Sequence, residues 1–78
     1  MAKPNYQDFD RALIAQIQAG RNKMMMLDGT ESGLPVLARP FRDGGRMPVF
    51  RVIDRRLQAL RKAGKLRWNG RVWEIAPQ

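Results

Sequence analysis

The sequence predicts a small α+β domain. It consists of three helices and a small antiparallel sheet, the sheet formed by a C-terminal hairpin with a short strand over 24–27 able to pair beside it. Three observations carry this expectation. Apolar residues recur at helical spacing over 9–19 and 48–63, and an Asn69-Gly70 turn signal separates two short alternating runs near the end. The chain of 78 residues has room for one domain. That domain is expected over 8–76, after a flexible leader at 1–7 with Pro4, Asn5 and no periodicity.

The first helix is read from Phe9 to about Ala19. Phe9, Leu13 and Ile17 recur every fourth residue, and Asp8 stands where a capping carboxylate would meet free amides. Gly20 is a natural stop. The next segment, Asn22 to Leu27, lies between Gly20 and the Asp28-Gly29 turn signal, and its shortness favours an extended piece with Met24 and Met26 on one face. A brief second helix is read over 33–39. Ser32 would cap it, Pro35 would sit in its first turn, and Pro40 would end it. Arg42 to Met47, with Gly44-Gly45 inside, reads as a flexible turn.

Pro48 opens the long helix expected over 48–63. Val49, Ile53, Leu57 and Leu60 make its apolar stripe, and Arg51, Arg55, Gln58 and Lys62 lie on the opposite side. Gly64 closes it. With Asn69-Gly70 as the two central residues of the hairpin turn, Trp68 would face Arg71, Leu66 would face Trp73, and Lys65 would face Glu74. Leu66, Trp73 and Ile75 would then cover the helical core.

Charge is the functional clue. Residues 1–38 balance to zero, whereas 39–71 carry eleven basic residues against Asp43 and Asp54, a net +9. Most of the eleven are arginines, whose planar fork suits paired hydrogen bonds to phosphates and base edges. Such a field attracts polyanions, although a solvated face or the counterpart of an acidic protein would also carry it. Other chemistries have little to work with. The chain has no His and no Cys, so no imidazole base, thiolate or Cys-ligated zinc is available. No pair of carboxylates shows acid–base spacing, no phosphate loop is present, and no enzyme, metal or cofactor is expected. No apolar run approaches the roughly 20 residues of a membrane span, and the first residues lack the apolar centre of a secretory signal. A cytoplasmic protein is the expectation.

The stretch from Val52 to Leu66, with its apolar spacing and helix-ending Ala63-Gly64 before a strand, resembles the recognition helix and first wing strand of the winged helix-turn-helix superfamily. Arg71-Val72-Trp73-Glu74-Ile75 is similar to the returning strand. The resemblance implies that helix 48–63 enters the major groove of double-stranded DNA, that 33–39 is its partner helix, and that the hairpin tip, Asn69-Gly70, lies near the backbone or minor groove. Here the chain departs from the usual pattern: Pro35 and Pro40 shorten the partner helix, and the 42–47 connector is long and glycine-rich.

Arg51, Arg55 and Gln58 are the expected base contacts, with Lys62 on the same side. Arg42 and Arg46 are placed to clamp a phosphate beside the helix start, and Arg67 and Arg71 to reach the backbone from the hairpin. Arg71 would also stack on Trp68. Arg56, Arg61 and Asn69 are further backbone candidates, with Arg56 and Arg61 equally able to lay their stems along the core. The functional expectation is a sequence-specific duplex DNA binder, such as a small transcriptional regulator. A protein-interaction module for an acidic partner and an excisionase-like accessory factor are the alternatives. Because one chain of this size covers little DNA, a homodimer or a helping partner is expected with the DNA-binding reading.

Overall fold

A computed structural model describes residues 6–76; of the expected leader, 1–5 lie outside the described residues. The order is α1 (Gln7–Gln18), α2 (Met24–Leu27), a 3-10 turn (Thr30–Ser32), α3 (Leu34–Ala38), a second 3-10 turn (Arg39–Phe41), α4 (Val49–Lys62), β1 (Leu66–Trp68) and β2 (Trp73–Ile75). Several helices thus pack against a small C-terminal antiparallel hairpin, with four α-helices where three were expected.

The two long helices form where the periodicity put them. Phe9, Leu13 and Ile17 of α1 meet Val52, Ile53, Leu57 and Leu60 of α4 in one buried cluster. Leu27, Leu34 and Ala38 close it on one side, and Leu66 and Trp73 of the hairpin cover it on another. A side chain of Leu size so buried contributes about 1.5–3 kcal/mol relative to exposure, and a chain this short depends on each one. Ile75, expected to join them, stays on the rim. Both helices end in the same motif. The Arg21 amide donates to the Gln16 carbonyl at 2.9 Å, the Lys65 amide donates to the Leu60 carbonyl at 2.9 Å, and a glycine takes the left-handed position between.

Four local expectations are corrected. Asp8 is not the cap of α1; Tyr6 is, and Asp8 lies inside the first turn. The helix therefore takes in Gln7, and with it one end of the expected leader. Residues 24–27 are a helical turn, not a strand. Met24 and Leu27 both pack on the core, and residues three apart share a face only in a helix. A strand would turn Leu27 to water. Just ahead of that turn, the Asn22 carbonyl accepts the Trp73 amide at 3.0 Å, a single bond where the third strand was expected.

Ser32 lies one position before the cap of α3, which is Gly33. Its buried hydroxyl accepts the Leu34 amide at 3.1 Å and has the carbonyls of Leu27 and Gly29 within 2.7 and 2.8 Å to receive its proton. Ser32 therefore ties α2 to α3. Pro35 sits in the first turn of α3, and the chain tightens to 3-10 geometry at Pro40.

The hairpin pairs in a different register. Leu66 faces Ile75, Arg67 faces Glu74 and Trp68 faces Trp73, so Gly70-Arg71 is the central pair of the turn. The reason is the Asn69 side chain. Its Oδ1 accepts the amides of Arg71 at 2.8 Å and Val72 at 2.9 Å, and its Nδ2 donates to Glu74 at 2.7 Å. Asn69 thus opens the turn instead of occupying its centre, and Gly70 takes the positive φ of +95° at the first central position. Each residue's partner moves by two, so every side chain keeps its face.

Candidate nucleic-acid interface

Helix α4 owes its position to its buried stripe, and that stripe decides which residues are left outside. Arg51, Arg55 and Lys62 are exposed and Gln58 is half-buried, all on the side turned away from the core. Among the described residues none of the three cations is in an ion pair. Arg46, Arg51 and Arg55 come together around a shallow cleft of about 340 Å³ with Asp43, Met47 and Pro48. The helix start adds positive character there, because Pro48 is the cap residue and offers no side-chain hydrogen bond to the first amides.

The other expected residues are employed within the protein to differing degrees. Arg42 is half-buried and its Nε donates to the Met47 carbonyl at 2.7 Å, while its own carbonyl accepts the amides of Gly45 and Met47. It closes the connector before α4, the loop that presents Arg46. Arg61 Nε donates to Gln58 Oε1 at 3.1 Å on the exposed surface, and among the described residues the Gln58 NH2 group has no acceptor. Arg67 pairs with Glu74 at 2.6 Å. That bond, followed by the one from Asn69, draws the Glu74 carboxyl below its ordinary range. Asn69 is taken up by the turn. Arg71 is exposed at the tip, but it does not stand opposite Trp68, whose cross-strand neighbour is Trp73 with ring centres 5.4 Å apart.

Arg56 leaves the set altogether. Its Nε and terminal nitrogen donate to the two carboxylate oxygens of Asp10 at 2.9 and 2.7 Å, and its guanidinium lies 4.1 Å from the centre of the Tyr6 ring. The hydrogen bond to Asp10 raises the Arg56 pKa against the opposing effect of burial. Tyr6 stacks in turn on Phe41 at 4.4 Å, and Phe41 meets the edge of Phe9 at 5.9 Å. This cluster fastens the start of α1 to α4. Sequence reasoning placed Asp10 in a first helical turn and Arg56 beside an apolar stripe. They lie 46 positions apart, so no local pattern signals their pairing.

A second surface adjoins the first. On the hairpin side of α4, Asp54, Gln58 and Arg61 face Trp68, Trp73 and Met24 across an open cleft of about 460 Å³. Met24 and Asp54 also border a neighbouring hollow with Phe50, Arg51 and Arg55, so the two run together along the helix. Trp73 is buried, as its place in the strand implied, while Trp68 is 49% exposed.

Among the described residues, no helix is long and apolar enough to cross a membrane. Comparison with known proteins gives no matching family model, curated relative or solved structure, so the functional reading rests on the geometry above.

Proposed function

We propose that the chain is a sequence-specific double-stranded DNA-binding protein of winged-helix type, acting as a small transcriptional regulator. In this reading α4 enters the major groove. Its fourteen residues make a rod about 21 Å long, and an α-helix with side chains is about 10–12 Å across, which fits a groove about 12 Å wide. Arg51, Arg55 and the amide of Gln58 read base edges, while Arg46, Lys62 and Arg71 hold phosphates. The carrying observation is the pair Arg51 and Arg55: exposed, outside any ion pair among the described residues, and mounted on a helix whose opposite stripe is fixed in the core.

The test is selection from a random duplex pool, followed by titration of the enriched duplex against a scrambled one at two salt concentrations. With about three phosphates neutralised, affinity should fall roughly 40-fold between 50 and 200 mM salt. Arg51→Ala with Arg55→Ala should remove the preference for the enriched duplex while leaving the thermal melt unchanged. If no duplex is retained at either salt concentration, or if the double variant keeps its preference, the reading fails. Retention of an acidic protein in place of duplex would assign the basic face to a protein partner.

A further inference from the structure

The cleft between α4 and the hairpin is not used by the duplex reading beyond its share of Gln58, and its composition is specific. Trp68 is held upright: its ring lies against Trp73 at a tilt of 55°, and Trp73 itself is 6% exposed and anchored in the core. A half-open indole on a buried support is a rigid apolar platform, and Met24 adds apolar lining to the same cleft. The indole N–H has no hydrogen-bond partner among the described residues. Two edge-reading groups also line the cleft, the Gln58 amide and the Asp54 carboxylate. Arg61, which also lines the cleft, is oriented by its bond to Gln58, and among the described residues its terminal nitrogens have no partner.

We propose that this cleft is a nucleobase-stacking site, in which one unstacked base of a single strand lies on the open part of Trp68. Stacking on an aromatic side chain suits any base, since every base offers a π-face. Gln58 donates to the base edge, Asp54 accepts from it, and Arg61 meets the adjoining phosphate. The surrounding charge draws the strand in, since 39–71 carry a net +9. An acidic peptide would find the same field and the same apolar lining, but the Asp54 carboxylate in that lining would repel its side chains. A base is neutral and gains a hydrogen bond there. The site extends the protein's ligands from duplex to single strand and does not depend on duplex recognition.

The experiment is a tryptophan-emission titration with an oligothymidylate of about ten nucleotides, with binding followed separately by anisotropy of a labelled strand. Wild-type protein should show saturable quenching, because Trp68 is the open indole and Trp73 the buried one. Trp68→Phe keeps a ring over Trp73 and should bind with no quenching of the remaining emission. Trp68→Leu should weaken binding about five- to a hundredfold. The Arg51→Ala/Arg55→Ala variant should still be quenched, at weaker affinity, so loss of duplex reading and loss of this site are distinguishable. The proposal is overturned if oligothymidylate does not bind, or binds without quenching. Equal affinity for an abasic strand of the same length would also overturn it, as would equal quenching by a duplex. Quenching by a glutamate-rich peptide in place of the strand would reassign the cleft to a protein partner.

Discussion

Replacing Asp10 by Ala removes one partner of the Arg56 pair and leaves a guanidinium with side-chain exposure of 22% facing a methyl group. Two bonds are lost, at 2.9 and 2.7 Å. A fully exposed pair would contribute about 0–1 kcal/mol, and a hydrogen bond to a charged group about 1.5–3. With both side chains about four-fifths covered, the second range applies, reduced for residual solvent, and about 1.5–2.5 kcal/mol should be lost. For a domain of this size that lowers the melting temperature by roughly 6–20 °C. The assay is a thermal melt followed by circular dichroism, with Asp8→Ala as control. Asp8 lies in the same helical turn and is exposed, so it should lose only its effect on the helix dipole, under about 1 kcal/mol. Duplex affinity of Asp10→Ala, measured below its melt, should stay within about threefold, a change under 1 kcal/mol. If the two variants melt together, or if Asp10→Ala and Arg56→Gln prove additive in a double-mutant cycle, the pair does not fasten α1 to α4. If Arg56→Gln weakens duplex binding as strongly as Arg51→Ala, Arg56 belongs to the interface after all.

Three further outcomes follow from local geometry. Ser32→Ala deprives the buried Leu34 amide of its acceptor, and the melt should fall by the equivalent of about 1–3 kcal/mol; an unchanged melt would mean water replaces the hydroxyl. Gly64→Ala meets open space but must hold φ near +78°, so it should destabilise by about 1–2 kcal/mol, whereas Gly29→Ala, at ordinary contact distance from the Met25 and Met26 carbonyls, should not lower stability. Because Arg67 and then Asn69 draw the Glu74 carboxyl down in the folded state, the stability it adds is complete above the usual carboxylate pKa. It is lost as pH falls through the depressed folded value. The hairpin amides of Asn69 and Val72 should therefore lose protection from exchange in acid, and Glu74→Gln should flatten that dependence.

The sequence was most informative where one period governed a long stretch. Ten or more residues of helical spacing leave α1 and α4 little choice, and the same spacing names Arg51, Arg55 and Lys62 as the outward side of α4. The hairpin and its two faces were equally legible. Its register was not, because Asn69-Gly70 can hold the centre of a turn or, as here, open one with the Asn69 side chain. Four residues such as Met24–Leu27 are too few for periodicity to separate strand from helical turn.

By itself the sequence therefore determined the two long helices, the existence of the hairpin and the concentration of positive charge after residue 39. The tertiary structure decided the rest. It made 24–27 helical because both Met24 and Leu27 had to reach the core, and it set Trp68 against Trp73. It also withdrew Arg56 to Asp10 while leaving Arg51 and Arg55 in water. The physical reason is range: helix spacing is settled among neighbours three or four residues apart, whereas ion pairs and shared burial depend on which distant surfaces the packed core brings within a few ångströms.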